Sequence, residues 1–81
     1  MDPEKLEKLR AECKKTVRSL LLSEKEGFSS YMLDKVHKDL MGYGVPFKQL
    51  GFPNIDSYLA SIPDACYKVR WVWKKPPVRH S

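Results

Sequence analysis

The side chains able to move protons, attack carbonyls or hold metals are few in this chain. His37 and His80 are its only imidazoles, and Cys13 and Cys66 are its only thiols. None of the four stands at the close spacing of a zinc knuckle, and two thiols allow at most one bridge. His80 falls in Lys75-Pro76-Pro77-Val78-Arg79-His80-Ser81, where prolines prevent the regular structure that would hold an imidazole at hydrogen-bond precision. His37 sits at the edge of an apolar stripe, a packing or surface position with neither a nucleophile nor a metal partner in the pattern. The carboxylates Glu24 and Glu26, like Asp34 and Asp39, lie beside lysines on charged faces, and no Gly-x-x-x-x-Gly-Lys-Ser/Thr phosphate loop occurs. These residues predict a chain that is not an enzyme and takes no metal and no cofactor.

A different chemistry is concentrated near the C-terminus. Residues 1–40 carry 9 basic and 8 acidic side chains, whereas residues 41–81 carry 6 and 2, within a net charge of +5. Beyond Asp64 there is no acid, and Lys68, Arg70, Lys74, Lys75 and Arg79 alternate with Tyr67, Trp71 and Trp73. Cations interleaved with rings suit contact with a nucleic-acid backbone, the rings offering planes to bases. The same pattern also fits Tyr67, Val69 and Trp71 turned to a core with lysines in solvent. Trp73 is the ring expected to be accessible.

The elements that must position these groups follow from periodicity. Leu6, Leu9, Cys13, Val17, Leu20 and Leu21 line one side of a helix over about 4–23, with Lys5, Lys8, Glu12, Lys15 and Arg18 opposite, Pro3 in the first turn and Asp2 as cap. Gly27 supplies the positive φ that stops it. Ser29 or Ser30 caps a second helix over 31–41, with Leu33, Val36 and Leu40, joined by His37 and Met41, inward and Asp34, Lys35, Lys38 and Asp39 outward. Pro46 to Gly51 forms one helical turn, and Asn54 caps a third helix from Ile55 to about Ser61. From Ala65 the period changes to two: Tyr67, Val69, Trp71 and Trp73 on one face, Lys68, Arg70 and Lys74 on the other, interrupted by Val72. That strand is expected to pair near Phe28, and a bend inside 66–73 would supply a second strand.

The 81 residues suffice for one domain, expected over 4–75, with 76–81 a flexible tail or the start of a linker. Apolar runs are no longer than Leu20-Leu21-Leu22, and Met1-Asp2-Pro3-Glu4 is unlike a signal peptide, so neither a membrane nor secretion is expected. Both thiols are expected to be buried and reduced, in a cytosolic protein.

The run Val45-Pro46-Phe47-Lys48-Gln49-Leu50-Gly51-Phe52-Pro53-Asn54-Ile55-Asp56-Ser57-Tyr58-Leu59-Ala60-Ser61-Ile62-Pro63-Asp64 closely resembles the LOTUS, or OST-HTH, domain of germline tudor-domain proteins, Oskar and the meiosis arrest RNA-binding protein. The first helix ending in Leu-Leu, the Gly27-Phe28-Ser29 turn and the glycine after the second helix extend the likeness to about residues 10–73. It implies a winged helix-turn-helix, mainly α with a small β element. In this run Leu50, Phe52, Tyr58, Leu59 and Ile62 read as core.

By resemblance, an extended kind of LOTUS domain carries a further helix and binds a Vasa-type DEAD-box RNA helicase. A minimal kind lacks that helix and is associated with guanine-rich or G-quadruplex RNA. Pro76-Pro77 after the strand favours the minimal kind. The first reading is thus an RNA-binding module whose face comprises Lys35, Lys38, Lys48, Gln49, Lys68, Arg70, Trp73, Lys74 and Lys75. The alternative is a protein-binding module docking on the helicase through Met32, Lys35, Val36 and Asp39. Major-groove DNA reading is disfavoured because no helix is rich in arginine. The resemblance further implies a cytoplasmic germline ribonucleoprotein granule and a piRNA-pathway, spermatogenesis and differentiation context, with a monomer favoured.

Overall fold

A computed structural model describes residues 2–77. Three helices come first: α1 (Pro3–Ser23), α2 (Ser30–Met41) and α3 (Ile55–Ala60). A hairpin of β1 (Tyr67–Val69) and β2 (Val72–Lys74) follows, so the chain is mainly α with a small β element, as expected.

Each helix begins where a short polar side chain can take up an orphan amide. Asp2 accepts from the Glu4 amide at 3.1 Å, Ser29 from Met32 at 3.2 Å and Asn54 from Ser57 at 2.8 Å. Gly42, at φ +85°, closes α2 by donating its amide to the Lys38 carbonyl at 2.8 Å. Between α2 and α3 the Leu50 amide reaches the Pro46 carbonyl at 3.1 Å and the Phe52 amide reaches Phe47 at 2.9 Å, giving the single tight turn the prolines and Gly51 predict. Gly51 has φ +92°.

The core gathers Cys13, Val17, Leu20 and Leu21 of α1, Leu33 of α2, Leu50, Tyr58, Leu59, Ile62, Cys66 and Trp73. Leu6, Leu9, Val36 and Phe52 pack against its edge. The burial expected of both thiols and of the 50–62 apolar set is therefore present, with Phe52 at the periphery.

Four expectations need correction. Leu40, placed in the inward stripe, is 59% exposed, and Met41 is exposed too, at the end of α2, whose buried residues are Leu33 and His37. Asp34, placed in solvent, is half-buried and accepts the Val45 amide at 2.8 Å, fastening the chain after α2 back onto the helix. Gly27 does not end α1, which stops at Ser23; its φ of +83° lies in the following turn, where the backbone abuts β2. The alternation over 67–73 does not continue through one strand. Val69 pairs with Val72 across a two-residue loop, Arg70-Trp71, with Arg70 at φ +63°, the backbone sign that lets such loops match strand twist. That reversal resets the phase, so Tyr67, Val69 and Trp71 are all exposed and Trp73 is buried. The expected pairing near Phe28 is present: the Phe28 amide donates to the Trp73 carbonyl at 2.9 Å, and the Trp73 amide donates back at 2.6 Å.

Candidate functional site

Trp73, expected to be the accessible ring, is 4% exposed. A buried indole needs an acceptor for its N–H, and Trp73 Nε1 donates to Asp56 Oδ1 at 3.0 Å. Asp56 lies in the first turn of α3, where a carboxylate also meets the positive end of the helix. Lys68, paired with Trp73 across the hairpin, sets its ammonium 4.0 Å from the same Asp56 oxygen and 5.9 Å from the Trp73 ring centroid. Lys68 thus helps clamp the hairpin to α3 as well as facing solvent.

The ring that does reach solvent is Trp71, 71% exposed at the hairpin tip beside exposed Arg70. The accessible ring is thus Trp71 and not the expected Trp73, and the break in alternation at Val72 is the signal in the sequence that marks the difference. Lys48 and Gln49 are exposed on the turn before α3, and Lys35 and Lys38 are exposed on α2. Lys74 is half-buried opposite Tyr67. Lys75 lines a cleft with Arg18 of α1. Neither Arg18 nor its neighbours Lys14 and Lys15 stands out as a binding residue in the sequence, although their spacing with Leu22 follows one helical face.

α3 itself, Ile55–Ala60, carries no cation and opens with a carboxylate. A helix of this character is poorly suited to reading base edges in a major groove. On α2, Met32 and Leu40 are exposed on either side of half-buried Val36, an apolar edge at i, i+4 and i+8, with Lys35 and Asp39 alongside in solvent.

Groups with proton chemistry are engaged internally. His37 is buried, and its Nδ1 lies 2.7 Å from the Tyr43 carbonyl, to which only an N–H can donate. Burial pushes the Cys66 thiol up to about 12, and burial likewise raises Cys13. Lys14 pairs with Asp64 and, mainly through that hydrogen bond, holds its carboxyl below the ordinary range. Among the described residues no group of three or more His, Cys, Asp or Glu is placed to hold a metal. No helix among them is long and apolar enough to cross a membrane. Arg79 and His80, with the rest of 78–81 in the expected tail, lie outside the described residues.

Two helices joined by a tight turn, preceded in space by α1's packing face and followed by a hairpin, define a winged helix-turn-helix domain. No family model matches the chain. It is 43% identical to Tudor domain-containing protein 7 of Homo sapiens over 49 residues, 60% of this chain. It is 46% identical to Tudor domain-containing protein 7B of Danio rerio over 50 residues, 62% of this chain. The Mus musculus Tudor domain-containing protein 7 is 41% identical over 49 residues. The chain is therefore homologous to a short segment of those proteins, spanning 4 to 5% of their length.

Proposed function

We propose that residues 4–75 are a LOTUS domain that binds RNA without catalysis, favouring guanine-rich or G-quadruplex RNA. The observation that carries this reading is the hairpin tip, which presents the Trp71 ring and the Arg70 guanidinium outward in an acid-free stretch. A stacked guanine tetrad offers a flat apolar end within a ring of phosphates, which an exposed indole beside cations can meet without reading base edges. The resemblance over 45–64 and the homology to Tudor domain-containing protein 7 support the domain assignment. The LOTUS resemblance further implies a cytoplasmic germline ribonucleoprotein setting, within a piRNA-linked pathway of spermatogenesis. The RNA face consists of Arg70 and Trp71, with Lys68, Lys74, Lys48 and Gln49 as phosphate-contacting neighbours, and Lys35 and Lys38 at its margin. Trp73 is its internal support, not a stacking platform.

Titration of the chain with a G-quadruplex RNA and with a mixed single strand of equal length, at several salt concentrations, tests this. The quadruplex is expected to bind more tightly. Lys68→Ala with Arg70→Ala should flatten the salt dependence by up to about one unit for each phosphate that is no longer neutralised. Trp71→Ala should weaken binding by about 1–3 kcal/mol if a base plane stacks there. Equal affinities of wild type and both variants would remove the hairpin tip from the interface.

The apolar edge Met32, Val36 and Leu40 favours the second reading, docking on a Vasa-type DEAD-box helicase, with Lys35 and Asp39 setting polar contacts. Under that reading Met32→Asp abolishes helicase binding while Trp71→Ala leaves it unchanged.

A further inference from the structure

A groove beside α1 is absorbed neither by the RNA reading nor by helicase docking. Arg18 and Leu22, one turn apart near the C-terminal end of α1, face Ala65, Lys75 and Pro76 across a cleft of about 410 Å3. A second cleft of about 360 Å3 shares Arg18 and Leu22 and runs back along α1 past Lys15 and Lys14. The two clefts adjoin, because Arg18 and Leu22 line both, and are taken together as the groove.

Leu22 is 64% exposed, whereas Leu20 and Leu21 beside it are buried. An exposed leucine at the junction of two clefts, with Ala65 and Pro76 completing the lining, is an aliphatic floor. Around it stand three exposed cations, Lys15, Arg18 and Lys75, none of which forms an ion pair among the described residues. Lys14 is already committed to Asp64. The groove therefore combines an unfilled aliphatic surface with an excess of positive charge, Lys14, Lys15, Arg18 and Lys75 standing against the one carboxylate Asp64 beside Lys14 and Arg18.

That combination selects among occupants. Phosphates would satisfy the cations, but among the described residues no aromatic ring lines either cleft, so bases would find no plane there to stack on. A peptide with carboxylates on both sides of an aliphatic side chain satisfies both features. Its carboxylates meet the two lysines and Arg18, whose fork donates two parallel N–H···O bonds to one carboxylate; its aliphatic side chain covers Leu22 and Pro76. We propose that this groove docks a short acidic peptide segment of a protein partner, anchored by one aliphatic residue. The inference is independent of RNA binding and assigns Lys75 to this groove.

The test uses the 15N-labelled chain and three probes. One is a synthetic peptide of about twelve residues with glutamates flanking a single leucine. The second has serine in place of that leucine, and the third is an oligouridylate of matched charge. The leucine peptide is expected to shift amides of residues 15–22 and of Lys75, and the serine peptide to bind several-fold more weakly. Arg18→Glu combined with Lys75→Glu should reduce leucine-peptide affinity by about tenfold or more. Both positions are exposed, so unchanged spectra elsewhere would show that the variant folds. The proposal is overturned by equal binding of the two peptides, which would mean charge attraction alone. It is equally overturned by absence of binding, by shifts confined to 68–71, or by tighter binding of oligouridylate to the groove.

Discussion

Asp56 is the residue on which the hairpin and α3 converge. Its Oδ1 accepts the buried indole N–H of Trp73 and stands 4.0 Å from the Lys68 ammonium. A buried donor stripped of its acceptor is not rehydrated without opening the structure, so its loss costs more than an average hydrogen bond contributes. Asp56→Ala is accordingly expected to destabilise the fold by about 1–3 kcal/mol, and Asp56→Asn, which keeps an acceptor, by less. Urea denaturation reads the difference, and the Trp73 indole N–H resonance should move in the alanine variant. An unchanged midpoint together with an unmoved resonance would show that the contact contributes nothing. The same chemistry explains why the accessible ring is Trp71: with the Trp73 indole tied inward, only the loop residue is left outside.

At the scale of elements, the approach of the 24–28 turn to β2 decides how the hairpin is seated. Gly27 has φ +83°, and a Cβ there would lie 2.7 Å from Val72 Cγ1 and 2.8 Å from Lys74 Cγ, besides meeting the Trp73 carbonyl. Gly42 has nearly the same φ, +85°, with open space around it. The two glycines separate conformational strain from steric exclusion. Gly42→Ala is expected to cost about 1–2 kcal/mol through its left-handed backbone alone. Gly27→Ala should cost about 1–3 kcal/mol more, since β2 must also be pushed away. It should broaden or shift the Phe28 and Trp73 amides that exchange hydrogen bonds. Thermal and urea melts of the two variants, compared side by side, check this; equal losses would mean that the close approach is unimportant.

At the scale of the whole molecule, α1 and the segment entering β1 bury one thiol each beside Tyr58, whose hydroxyl has no hydrogen-bond partner of ordinary geometry. Burial raises Cys66 from 9.0 to about 12 and moves Cys13 in the same direction. A raised folded-state value means that the unfolded chain releases these protons first. Stability is thus fully present below about pH 9, the ordinary thiol value, and is lost progressively as pH climbs toward 12. Denaturation midpoints measured from pH 7 to pH 11 should fall across that window, and Cys66→Ala should flatten the decline relative to wild type. In native buffer both thiols should react with a disulfide reagent far more slowly than after unfolding. A midpoint independent of pH over this range would contradict the burial of these groups.

Local rules carried much of the molecule. The apolar spacing of α1, the caps at Asp2, Ser29 and Asn54, the glycine after α2 and the tight turn at 46–51 depend on neighbours within a few residues, and they were legible in the chain as written. So was the need of the terminal β segment for a partner at Phe28. What periodicity could not supply was phase: a two-residue loop shifts every later side chain to the other face, so alternation alone put Trp71 and Trp73 on one face, where the fold exposes the first and buries the second. Nor could it supply the inward use of Asp34, whose partner, the Val45 amide, is presented by a separate loop. The meeting of Arg18 with Lys75 is of the same kind, since it arises only when the residues just after β2 come to lie beside the end of α1. Short-range chemistry selected the elements, while the surfaces that can bind anything were decided by how those elements pack, because a binding surface is made of groups the chain brings together from afar.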